Sequence, residues 1–151
     1  LKKISRASYS PKSFNNKYGV PLSLFNLKSN DNFGVFEVGM DKKGEINHLT
    51  NIIKPDLGII TNISYAHSKN FKNIKQIADA KAEIMSHIKK DGIIVLNKDD
   101  KFYNYHKNFA IKKNLKVVSF GINSKSSMIY LKKIKKIKNK YKFFLIVLLT
   151  Q

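Results

Sequence analysis

At 151 residues the chain has single-domain length and can bury a core, and an apolar fraction of 42% excludes a disordered polymer. The absence of cysteine excludes a disulfide framework and thiolate metal sites, and fits a reducing compartment. The formal charge of +19 invites a nucleic-acid partner, yet every one of the 29 basic residues except Arg6 is a lysine. Nucleic-acid surfaces recruit arginine for bidentate contacts and interleave aromatics. Here the lysines are spread out, dense only in Lys132 to Lys142, and asparagine is plentiful, as in A+T-rich coding sequence. Solvated faces are the better reading.

In chain order, Leu1 to Tyr9 has no apolar stretch of the kind a signal peptide needs, and a start on Leu1 rather than Met reads as an internal cut. Leu1 to Phe14 is polar and weakly patterned, and reads as the tail of a helix followed by a loop. Asn15 to Pro21 is a loop by composition, with a short helix over Leu22 to Leu27. Phe33 to Gly39 reads as a buried strand carrying the carboxylate of Glu37 near its end. Gly44 to Ile53 suits a helix that Pro55 and Asp56 break.

Leu57 to Ile63 is a continuous apolar run, expected to be a parallel strand covered on both faces. Ser64 to Phe71 is the loop after it and carries His67. The run Ile74, Ile77, Ile84 and Ile88, with Ala78 and Met85, marks one face of a helix over 74–88. The position completing that stripe is Lys81. Its stem either snorkels to water or its amine has a partner. Asp91-Gly92 ends the helix, and Ile93 to Asn97 is a third strand, followed by Asp99 and Asp100. Phe102 to Asn114 is helical and Lys116 to Gly121 a fourth strand. Strands alternating with helices predict βαβ units and an α/β fold with a mostly parallel sheet flanked by helices. In the tail, Ile129 to Lys142 is lysine-rich and Phe143 to Leu149 wholly apolar. That run is too short for a bilayer, which needs about 20 residues, and reads as a buried strand cut off from its partners.

Ligands of open α/β sheets bind beyond the carboxyl ends of the strands. Glu37, Asn62 with His67, and Asn97 with Asp99 each occupy such a place. Oxygen donors with an imidazole suit Mg2+ or Mn2+ near phosphates. A sheltered neutral lysine can add CO2, and the resulting carbamate turns a cation into a metal-binding carboxylate. Taken singly, His67 is more often a hydrogen-bonded loop histidine, and Glu37 reads equally as a strand-end surface residue.

Several of these segments resemble motifs of the Mur ligase family. They are Asn15-Asn16-Lys17-Tyr18-Gly19-Val20-Pro21-Leu22, Glu37-Val38-Gly39-Met40 with Gly44-Glu45-Ile46, Ile60-Thr61-Asn62-Ile63 with Ala66-His67, Ala80-Lys81-Ala82-Glu83-Ile84, and Asn97-Lys98-Asp99-Asp100. Each motif is loose; together, in order, they are specific. The first two favour the branch that joins D-Ala-D-Ala to UDP-MurNAc-tripeptide. The resemblance implies an ATP-dependent ligase of cytoplasmic peptidoglycan synthesis that works through an acyl phosphate. It implies that Glu37 and His67 bind Mg2+, that Lys81 is carbamylated and helps hold the second Mg2+, and that Asn97 lies near the adenine. Asn15, Asn16 and Asn62 fall near nucleotide or substrate. A monomer without nucleic-acid partner or membrane insertion is implied as well.

The chain contains no G-x-x-x-x-G-K-[ST] phosphate loop, which the family has. Residues 1–121 therefore read as part of the family's central ATP-binding domain with the phosphate loop upstream of Leu1. Residues 122–151 read as an unassigned, aberrant or truncated continuation of it. Such a piece is not expected to bind ATP well or turn over by itself. Another Mur ligase or a folylpolyglutamate synthase is the alternative enzyme, and a basic nucleic-acid-binding or interaction module the alternative of another class.

Overall fold

The computed structural model describes residues 5–11, 13–65, 70–138 and 140–148. The chain divides into two compact units, one of residues 1–54 and 65–87, the other of 55–64 and 88–151.

In the first unit, β1 (Ala7–Tyr9) pairs in parallel with β2 (Phe33–Val35), Ala7 opposite Phe33 and Tyr9 opposite Val35. A strand at 7–9 replaces the expected helix tail. Its partner lies 26 residues on, so local pattern could not announce it. β2 is shorter than the expected 33–39, and Phe33 and Val35 are exposed. Beyond the ladder, the Gly39 amide donates to the Asn15 carbonyl, 2.7 Å away.

Helix α1 (Gly19–Phe25) starts three residues before the expected Leu22. Asn16 opens it, its Oδ1 accepting from the Tyr18 and Gly19 amides at 3.1 and 2.9 Å. Helix α2 (Glu45–Ile53) follows Gly44, whose φ of +94° is a left-handed conformation suited to glycine. Helix α3 (Ile74–Ala82) is capped by Asn73, whose Oδ1 accepts from Gln76 at 3.0 Å. It stops at Ala82 and tightens into a 3-10 turn over Glu83–Ser86, where the sequence predicted helix to Ile88. Val20, Ile46, Leu49, Ile77, Ala78 and Met85 are buried.

The second unit carries β3 (Leu57–Ile60), β4 (Ile93–Asn97), α4 (Tyr103–Lys112), β5 (Lys116–Gly121), β6 (Ile129–Ile137) and β7 (Lys140–Val147). Its sheet runs β3-β4-β5-β6-β7, parallel as far as β6 and antiparallel at the last pair. The mostly parallel α/β architecture and the three strands expected here match the prediction, although β3 ends at Ile60 rather than Ile63. Coverage on both faces does not. In β3, Gly58 and Ile60 are buried while Leu57 and Ile59 are 46% and 52% exposed, so one face is covered.

The tail departs further. Phe143 to Val147 is not an orphan strand but half of a β6–β7 hairpin, with Lys138 at positive φ in the turn. Ile129 faces Val147, Leu131 faces Leu145 and Ile134 faces Phe143. Phe143 and Leu145 are each 60% exposed rather than buried. Lysine doublets hid the period of two in β6, and the continuous apolar run hid it in β7.

The entry to β4 is sterically tight. A Cβ on Gly92 would meet Ile88 Cγ2 at 2.5 Å and the Asp56 and Lys89 carbonyl oxygens at 2.8 Å. Two of those neighbours are backbone and cannot swing away. Gly92→Ala is expected to destabilise the second unit by about 1–3 kcal/mol, the usual cost of overpacking, read as a lowered urea midpoint. An unchanged midpoint would show that the Asp56 and Lys89 segments yield freely.

Candidate functional site

Glu37 lies two residues beyond β2, exposed, with Oε1 accepting from Asn15 Nδ2 at 3.0 Å. The same asparagine takes the Gly39 amide on its carbonyl, so both sides of Glu37 are referred to one residue. Gly39 permits the approach: a Cβ there would lie 3.0 Å from Asn15 Cγ. Asn15 and Glu37, read separately in the sequence, are thus one clamp. Asn16 spends its side-chain oxygen on the start of α1.

From Glu37 the chain continues through a loop into α2. Glu45 folds back over that loop, its Oε2 accepting from the Asp41 and Lys42 amides at 2.6 and 3.1 Å. Those two amides hold its carboxyl below the usual carboxylate range.

Lys81 stands in the last turn of α3, half-buried between the buried Ala80 and Ala82. Among the described residues it has no ion pair, whereas Lys75, on the outer face, pairs with Asp79 one turn on. Two residues later, the Glu83 carboxylate accepts from the Gly44 and Asn47 amides at the start of α2. No signal within either segment showed that contact, because its partners are 36 and 39 residues away.

In the second unit, Asn97 ends β4. Its Nδ2 donates to the Thr61 carbonyl at 3.0 Å and its Oδ1 accepts from the Asp99 amide at 2.9 Å. Asp100 Oδ2 accepts from the Ile63 amide at 2.7 Å and its Oδ1 from Phe102 at 2.8 Å. Asn62, exposed, therefore sits between two residues that are held by the end of β4. Asp99 accepts from the Ile122, Asn123 and Ser124 amides at 2.6, 2.9 and 2.8 Å. Rather than a free ligand, it is the anchor of the loop after β5. The local Asn97-x-Asp99 spacing accounts only for the Asx turn in which Asn97 accepts from the Asp99 amide; the partners of the Asp99 carboxylate lie 23 to 25 residues on. His67 lies outside the described residues.

The donor chemistry of Glu37, an exposed carboxylate with one oxygen already oriented, fits a hard cation. Among the described residues no three His, Asp or Glu side chains gather at one point. Glu37 and Lys81 belong to the first unit, Asn62 and Asn97 to the second.

This is an open α/β architecture whose polar residues collect just beyond strand ends, the class that binds ligands there. Residues 2–149 match the family model described as the Mur ligase middle domain, and the chain belongs to that family. It is 38% identical over 118 residues to the UDP-N-acetylmuramoyl-tripeptide–D-alanyl-D-alanine ligase of Rickettsia prowazekii, covering 76% of this chain and 26% of the relative. The enzyme of that name from Buchnera aphidicola subsp. Baizongia pistaciae is 34% identical over 121 residues, with 74% and 26% covered. Among solved structures, MurF from Acinetobacter baumannii superposes with a TM-score of 0.88 at 26% identity, over 97% of this chain and 31% of that one. A MurF ligase from Thermotoga maritima, solved in complex with ADP, gives 0.78 at 25% identity, over 96% and 33%. The chain spans about a quarter of the length of these curated relatives.

Asp99 makes the site testable in acid. Partial desolvation pushes its carboxyl up, but the Asn123, Ile122 and Ser124 amides outweigh it and leave the group below its ordinary value. A depressed folded-state pKa contributes stability above the unfolded value, lost as pH falls through the folded one. The amide resonances of Ile122, Asn123 and Ser124 are expected to titrate together with a midpoint below that of an unstructured aspartate. A midpoint at or above it would mean the three hydrogen bonds do not persist in solution.

Proposed function

We propose that this chain is part of the ATP-binding middle domain of a ligase that adds D-Ala-D-Ala to UDP-MurNAc-tripeptide, by way of an acyl phosphate. The observation that carries the reading is concordance. The Rickettsia and Buchnera relatives bear that one name, and the Acinetobacter and Thermotoga structures are both MurF. Residues 1–121 supply the motifs, and 122–151 continue the same domain through the β6–β7 hairpin. The reading puts the parent enzyme in the cytoplasm, as a monomer without nucleic-acid partner. Among the described residues no helix is long and apolar enough to cross a membrane.

In this reading Glu37, His67 and Lys81 hold Mg2+, with Lys81 as its carbamate. Bound Mg2+ supplies positive charge against that developing on the transferring phosphoryl group and acyl oxygen. Asn15 fixes the rotamer of Glu37, so one carboxylate oxygen is committed and the other can face the cation. Asn97, tied to Thr61 and Asp99, keeps one amide N–H for the nucleotide and holds the segment bearing Asn62 in register with β4. Asn15 and Asn16 frame the loop on the substrate side. ATP affinity also needs phosphate-cradling backbone amides of the kind a G-x-x-x-x-G-K-[ST] loop supplies. This chain by itself is therefore expected to bind Mg-ATP no tighter than about millimolar.

Lys81 is the test. An ammonium about 6 Å from a bound cation costs about 3 kcal/mol per unit charge pair at an effective dielectric near 20, and a carbamate reverses the sign. In the full-length parent, Lys81→Ala is expected to abolish most activity, with partial recovery on adding acetate or propionate. Lys81→Arg stays cationic and is expected to be inactive. Near-normal kcat for Lys81→Arg would reduce the lysine to a snorkelling structural residue and remove the metal site it is meant to complete.

A further inference from the structure

Glu83 has no part in the reading above, although it lies two residues beyond Lys81 and within the same motif. It opens the 3-10 turn that ends α3, and it reaches across to α2. Its Oε1 and Oε2 lie 2.8 and 3.0 Å from the Gly44 amide, and Oε2 lies 3.2 Å from the Asn47 amide. Gly44 has no side chain with which to cap the helix it precedes, and Glu45 is occupied with Asp41 and Lys42. The Glu45 amide reaches the Lys42 carbonyl at 3.5 Å, but the Gly44 and Asn47 amides have no other protein acceptor among the described residues. Glu83 provides one from another element, with a negative charge at the positive end of the helix dipole. A second tie runs alongside, His87 Nε2 meeting Asn47 Oδ1 at 3.2 Å.

The consequence lies in what the joined segments carry. The loop that ends at Gly44 begins at Glu37. It is held at three points: by Asn15 on Glu37 and Gly39, by Glu45 on Asp41 and Lys42, and by Glu83 on Gly44 and Asn47. The third point belongs to the segment that bears Lys81. We infer that Glu83 is a positioning residue that locks the Lys81 segment to the Glu37 loop, so that both metal-holding side chains are presented as one rigid pair. This rests on the proposed metal roles of Glu37 and Lys81. A short polar residue cannot replace Glu83, because the carboxylate has to span from one element to the next and accept from two amides at once.

The experiment uses the full-length parent enzyme with Glu83→Ala, Glu83→Gln and, as control, Glu37→Gln. Three quantities are read: the Mg2+ concentration for half-maximal activity, the 13C signal of a Lys81 carbamate in labelled bicarbonate, and Tm. Residues that orient metal ligands change metal affinity about 10–100-fold when lost. Glu83→Ala is expected to raise the half-maximal Mg2+ about tenfold or more and to weaken the carbamate signal. Glu83→Gln keeps the shape and one accepting oxygen, and is expected to shift Mg2+ dependence in the same direction by about threefold. If Glu83→Ala fails to fold, Glu83→Gln decides alone. A change in Tm with Mg2+ dependence and carbamate signal both at parental values would make Glu83 a helix cap and overturn the inference. Should Glu37→Gln also leave Mg2+ dependence unchanged, the metal reading itself falls. If Glu37→Gln shifts it and the Glu83 variants do not, the positioning role alone is wrong.

Discussion

A backbone amide beyond the end of a strand or in the first turn of a helix has no ladder to join, and in this chain side-chain oxygens take that place. Asp99 receives three such amides, Asp100 two, Glu45 two and Glu83 two. Hydrogen bonds to a charged acceptor are stronger than neutral ones, about 1.5–3 kcal/mol where they are sheltered, less where water competes. What they confer here is shape more than stability. Each converts an exposed connection, free by composition to wander, into a segment with one conformation.

That constraint orders the candidate residues within each unit. Asn97 is a half-buried strand-end residue that ties the ends of β3 and β4 together by bonding Thr61 and Asp99. Asn15 does the same for Glu37. Where a site works by positioning its ligand, side chains that hold other side chains still count for as much as those that touch the ligand. The mixture explains why a motif such as Asn97-Lys98-Asp99-Asp100 contains residues of two kinds. Asn97 uses one side-chain N–H on Thr61 and keeps the other, while Asp99 and Asp100 are spent on the fold.

Lys81 shows the opposite economy. The helix buries Ala80 and Ala82 on either side of it and gives it no carboxylate among the described residues. Lys75, six residues earlier, has Asp79. The two lysines thus differ in burial and in partner: Lys75 is a paired surface charge and Lys81 a half-buried one. Lys81 still lies in α3 although the helix is shorter than the apolar stripe from Ile74 to Ile88 predicts, since it comes before the change to a 3-10 turn.

Local pattern determined the elements that are held locally. Continuous apolar runs marked β3, β4 and β5, the 3-4 spacing marked α3, and glycine, proline and aspartate marked the breaks. Ordered motifs identified the family and singled out Glu37, Lys81 and Asn97. Only the tertiary structure decided the rest. It paired Ala7–Tyr9 with Phe33–Val35, folded the lysine-rich tail into a hairpin with Phe143 and Leu145 exposed, and uncovered one face of β3. It also joined Asn15 to Glu37, Asp99 to Ile122–Ser124 and Glu83 to Gly44. For the β1–β2 pairing and the three side-chain contacts the physical reason is common. Periodicity records what a residue does with its neighbours along the chain, whereas a strand's partner or a carboxylate's amide is set by a segment 20 to 40 residues away, and nothing in the local pattern encodes that meeting.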